Sequence, residues 1–149
     1  MQRLLAAALI WAAMVSCALA QGLGVGGNST YPSGAIPLSA SSGNVAAATA
    51  TATLPASPGR TTYICGFTVT AGGSTAAATV NVTVTNTPGG TLTYNFSTST
   101  GVDAPSPALV EDYVPCLPAN AQNTTIVVSM PTLGAANAHA AINVQGYQF

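Results

Sequence analysis

Over Arg60–Ala71 the chain reads RTTYICGFTVTA, and the same two-residue period returns in AATVNVTVTN from Ala77 to Asn86 and in TLTYNFS from Thr91 to Ser97. Successive side chains of a strand point to opposite faces, so alternating apolar and hydroxyl residues can bury one side of a sheet and wet the other. Such a run cannot present the apolar stripe of an amphipathic helix. Its threonines and valines are also β-branched, which stiffens χ1 and favours a pleated backbone.

The period extends this reading along the chain. Val80, Val82 and Val84 oppose Asn81, Thr83 and Thr85, and Leu92, Tyr94 and Phe96 oppose Thr91, Thr93, Asn95 and Ser97. Thr87-Pro88-Gly89-Gly90 joins the two runs, which predicts a β-hairpin. In the Arg60 segment the alternation puts Tyr63, Cys65, Phe67 and Val69 on the core side and Thr62, Ile64, Thr68 and Thr70 on the other. Asn44–Leu54, NVAAATATATL, predicts a strand with alanines inside; the competing helix, favoured by alanine, is opposed by the regular threonine spacing. Further strands are expected over Ala108–Val114, Thr124–Met130 and Ala138–Phe149, with Pro115 and Pro118 ending the first at a sheet edge. Seven to eight short strands predict an all-β fold, an antiparallel β-sandwich of jelly-roll or immunoglobulin-like type. The latter would lack its buried tryptophan, since the one tryptophan is Trp11.

The first residues, MQRLLAAALIWAAMVSCALAQ, set Arg3 before a short apolar run that ends in Ala18-Leu19-Ala20. This is the layout of a secretory signal peptide over 1–20, and the run is short for a membrane-spanning helix, which needs about 18 apolar residues or more. Met14-Val15-Ser16-Cys17 offers a second outcome, a lipoprotein anchored through Cys17. Residues 21–34 read as a flexible glycine-rich arm, and 35–149 as one β-sandwich domain. The chain is therefore expected in the periplasm, at the cell surface or secreted. In such a compartment Cys65 and Cys116 read as a disulfide closing a loop of about 50 residues; two buried free thiols are the other reading.

Beyond residue 20 the charged side chains are Arg60, Asp103, Glu111 and Asp112, and lysine is absent throughout. With no basic patch to displace counterions from phosphates, nucleic acid is excluded as a partner. Catalysis is short of material too. His139 is the one histidine, no G-x-S-x-G elbow occurs, and adjacent Glu111 and Asp112 point to opposite faces of a strand. No catalytic residue, cofactor or metal is assigned. A weak calcium site from Asp103, Glu111 or Asp112, and a small secreted hydrolase, are the alternatives these acids leave open.

Four aromatics fall outside the expected core, Tyr31, Tyr113, Tyr147 and Phe149, and are the candidate contacts for a surface glycan. The ending Tyr147-Gln148-Phe149 is similar to the aromatic terminus of outer-membrane barrels, although Asn143 and Gln145 stand where that pattern is apolar. N-x-S/T matches at Asn28, Asn81, Asn95 and Asn123 matter only in a eukaryotic secretory pathway.

Three segments, SASSGNVAAATATATLPA, TYICGFTVTAGGSTAAATVNVTVT and PCLPANAQNTTIVVSMPTLGAANAHAAINVQGYQF, resemble small β-sandwich proteins encoded by bacteria and their phages or prophages. The resemblance implies a structural or attachment role, on a virion if the chain is phage-encoded, and brings no catalytic residues. Together with the neutral Thr/Ala/Val surface it leads to an expectation of an exported, non-enzymatic structural or assembly protein that self-associates or binds a protein partner. A carbohydrate- or cell-surface-binding module is the alternative.

Overall fold

The computed structural model describes residues 31–101, 106–134 and 136–149. The chain divides into two compact units, Met1–Pro32 and Ser33–Phe149. The signal peptide expected over 1–20 and the arm up to residue 30 lie outside the described residues. So does Asp103.

The second unit holds eight strands: β1 (Ile36–Ser41), β2 (Ala50–Leu54), β3 (Thr62–Gly72), β4 (Ala78–Thr87), β5 (Gly90–Thr98), β6 (Leu109–Pro118), β7 (Ile126–Met130) and β8 (His139–Gln148). They form two antiparallel four-stranded sheets. Sheet A has the order β1-β8-β3-β6 and sheet B the order β2-β7-β4-β5. The pairing is nested, β1 with β8, β2 with β7, β3 with β6 and β4 with β5. One long hairpin whose tip is the β4–β5 turn has thus been rolled into a sandwich, which is the jelly-roll arrangement. An immunoglobulin-like domain would instead place its first strand in one sheet with the second, fourth and fifth. Both sheets keep free edges, so they do not close into a barrel. Among the described residues no helix is long and apolar enough to cross a membrane.

Alternation builds the core wherever it is unbroken. Ala50, Ala52 and Leu54 of β2, Val82 and Val84 of β4, Phe96 of β5 and Ile126, Val128 and Met130 of β7 face Ile64, Phe67 and Val69 of β3 and Ala140, Ile142 and Val144 of β8. Buried polar side chains are matched within this shell. Thr62 and Gln148 both donate to the Pro55 carbonyl, at 3.0 and 2.8 Å. Among the described residues no buried side-chain nitrogen or oxygen lacks a partner, as the cost of burying an unpaired polar atom demands.

Strand β3 departs from its expected phase. Its register shifts between Ile64 and Gly66: against β8 a β-bulge leaves Cys65 as the extra residue, while against β6 the partner passes from Leu117 to Asp112, so the surplus there lies on β6. Before the bulge Thr62 and Ile64 face the core; after it Phe67 and Val69 do. Ile64 is therefore a fully buried core residue, contrary to the simple alternation. Tyr63, expected in the core, stands on the outer side, where it stacks on Tyr147 with ring centroids 4.6 Å apart and planes 8° from parallel. Opposite the bulge, β6 does not stop at its prolines. It runs on through a cis Val114–Pro115 peptide, and Cys116 bonds Cys65 across the two strands.

Other corrections are smaller. Strand β2 begins only at Ala50, because Ala47 has positive φ and the preceding residues bend. Strand β1, IPLSAS, has no signal of its own beyond Leu38 and Ala40 packing on the core.

Candidate functional site

Strand register arranges the outer face of sheet A in rows. Ser39, Gln145, Gly66 and Asp112 sit abreast on β1, β8, β3 and β6; Ser41, Asn143, Thr68 and Val110 form the next row. Between these side chains lies an open cleft of about 350 Å³. Hydroxyl and amide side chains line it together with Ala40, Phe67 and Val144, and the Asp112 carboxylate is its one charge. Gly66 belongs to this row for steric reasons. A Cβ there would lie 2.6 Å from the Glu111 carbonyl oxygen and 2.7 Å from Asp112 Oδ1.

The row on the far side of Gln145 is Pro37, Tyr147, Tyr63 and Pro118. Gly146 permits it, since a Cβ at that position would collide with the Tyr63 carbonyl. Tyr147 is 8% exposed as a residue, and burial, followed by its neighbour Tyr63, raises its pKa above the ordinary tyrosine value.

The outer face of sheet B is made differently. Thr51, Ser129, Thr83 and Thr93 form a row of hydroxyls across all four strands, and Asn81 with Asn95 and Thr79 with Ser97 extend the pattern on β4 and β5. Several of these groups satisfy one another. Thr79 Oγ1 and Ser97 Oγ are 2.9 Å apart, Thr51 Oγ1 and Ser129 Oγ 3.3 Å, and Thr85 Oγ1 donates to the Val127 carbonyl at 3.4 Å. No strand of sheet B carries a charged residue.

The candidate glycan contacts do not converge. Phe149 is 57% exposed beside Gly34, and Tyr147 is covered as described. Tyr113 turns to the inside of the sandwich, where its hydroxyl lies 2.8 Å from that of Tyr94 and its ring tilts against Phe67. Burial above all, then the Tyr94 hydrogen bond, raises the Tyr113 pKa, with the Glu111 carboxylate adding to it. Tyr31 belongs to the first unit.

Among the described residues the acids, Glu111 and Asp112, stay apart from the histidine. Glu111 lies between Leu109 and Tyr113 on the inward side of β6, while Asp112 points outward. His139 lies opposite Gly72, six positions along β3 from the Gly66 that faces Asp112. At roughly 3.3 Å per residue that is about 20 Å. The imidazole Nδ1 sits 3.3 Å from the Asn44 amide nitrogen. Among the described residues no three of His, Cys, Asp and Glu gather as metal ligands would.

Residues Ser39, Ser41, Thr68, Asn143 and Gln145 were invisible as a group in the sequence. They come from three strands, and strand order alone assembles them. Comparison with protein-family models, with curated proteins and with solved structures finds no match to this chain.

Proposed function

We propose that this protein is exported and non-enzymatic, and that it works through its surfaces as a structural or assembly component whose copies associate. The observation that carries this reading is the outer face of sheet B, four strands wide and without a charge. Like charges normally hold copies of a soluble domain apart; here methyl groups and hydroxyls, several of the latter already hydrogen-bonded in pairs, meet water instead. The separation of His139 from Glu111 and Asp112 supports a role without catalysis by these groups together, because general acid–base work needs groups within hydrogen-bond reach of one substrate. The Cys65–Cys116 bond fits an oxidising compartment, and the resemblance noted above would set the role on a cell surface or a phage particle. Sedimentation velocity on the purified protein should give a mass that rises with concentration. A single monomer species up to millimolar concentration would sink the reading.

The cleft on sheet A favours a second reading, a site for a neutral saccharide whose hydroxyls would meet Ser39, Asn143 and Gln145. In a glycan array, binding that disappears in Asn143→Ala and Gln145→Ala would favour it over assembly.

A further inference from the structure

The fold has four sheet edges, and three of them are blocked. An edge strand offers unpaired N–H and C=O groups to any passing strand, and proteins blunt it with proline, charge, shortness or irregular register. Strand β1 carries Pro37, and β2 is five residues long with Pro55 directly after it. Strand β6 has inward-facing Glu111, outward-facing Asp112, Pro115 and Pro118, and a break in register. Strand β5 has none of these devices. It runs nine residues, Gly90–Thr98, without a proline or a charge, and its pairing to β4 is continuous from Leu92 to Thr98. Among the described residues no loop backbone or side chain bonds to the main chain of Thr91–Ser97.

We infer that β5 is the contact edge through which two copies of this chain join, antiparallel about a two-fold axis, fusing their B sheets into one eight-stranded sheet. This deepens the assembly reading and rests on it. A second copy fits the edge better than an unrelated strand because the edge complements itself. A register that sets Thr91, Thr93, Asn95 and Ser97 against their counterparts keeps every outward row neutral and hydroxyl-bearing, as the β4–β5 pair already does. The same register aligns half-buried Leu92 and Tyr94 on the inner side; a slip of one residue would turn them to water. An isologous contact also closes at two subunits, so an open edge yields a dimer and no fibre.

The test places charge on that edge. Thr93→Lys with Asn95→Lys puts like charges against their own copies, and should weaken association at least about tenfold by sedimentation. Val110→Lys with Val114→Lys, exposed positions on β6 of the other sheet, should leave it within about twofold. Mixing the β5 lysine variant with a Thr93→Glu, Asn95→Glu variant should restore a mixed dimer, which misfolding alone could not do. A monomeric wild type overturns both this inference and the assembly reading. A wild type that associates, and still does so with lysines on β5, overturns only the inference.

Discussion

Sheets A and B share one core and solve the solvent side in opposite ways. Sheet B achieves its face with side chains on a nearly regular backbone: its one register shift is at the hairpin end, where Asn86 takes positive φ beside the Pro88-Gly89 turn. Sheet A achieves its face by altering the backbone. It has a bulge at Cys65, a disulfide, a cis Pro115 and two glycines held by close approach, Gly66 and Gly146. The strand residues with charge, Glu111 and Asp112, are in sheet A as well. Regularity makes a broad repetitive surface suited to another copy; irregularity makes one place unlike its surroundings. The cleft is on the irregular sheet.

If that contrast is right, sheet A should be fragile to changes that sheet B ignores. The largest effect should come from removing the disulfide. It spans 51 residues, and Cys65→Ala with Cys116→Ala should cost about 4 kcal/mol in denaturant unfolding, chain entropy being the main loss. Gly146→Ala should follow, at about 3 kcal/mol, because the new methyl group meets the Tyr63 backbone and the whole β3–β8 register must give. A midpoint unchanged in either variant would erase the distinction between the sheets.

Tyr113→Phe probes the seam between them. It should cost about 1 kcal/mol at neutral pH for the lost Tyr94 hydroxyl partner. It should also change the alkaline limb. Burial raises the Tyr113 pKa in the folded chain, so the unfolded chain ionises first, from about pH 10. The stability linked to this proton is whole below that pH and declines as pH rises further. In Tyr113→Phe the decline above pH 10 should be shallower than in wild type, as read from unfolding midpoints between pH 9 and about pH 11. The smallest effect is expected on sheet B, where Thr79→Ala removes an exposed hydroxyl pair with Ser97 and should shift stability by no more than about 0.5 kcal/mol.

The sequence was legible where alternation was unbroken. The β4–β5 hairpin, the inward alanines of β2 and the inward valines of β4 needed only the period of two. Legibility failed at Cys65, because a bulge adds a residue without marking itself in composition, and every side chain before it changes face. Tyr63 was lost from the outer surface by that slip. Strand β1 was missed because IPLSAS is too short and too small to show a period. The cleft had no local signal, since the serines, threonine and amides that line it are ordinary strand residues until β8 is placed between β1 and β3.

That placement of β8 also governs the order of events as the chain is made. Strands β2, β4, β5 and β7 are all synthesised before it, so sheet B can pair in full while the chain is still growing. Sheet A cannot, because its second strand comes last of the eight and carries the contacts of both β1 and β3. Until β8 emerges, Ile64, Phe67 and Val69 have β6 on one side and no strand on the other, and a nascent chain offers a completed half with an exposed apolar back. Pairings so distant in sequence are slow to close, so the two sheets differ in when they can form as well as in how they face water.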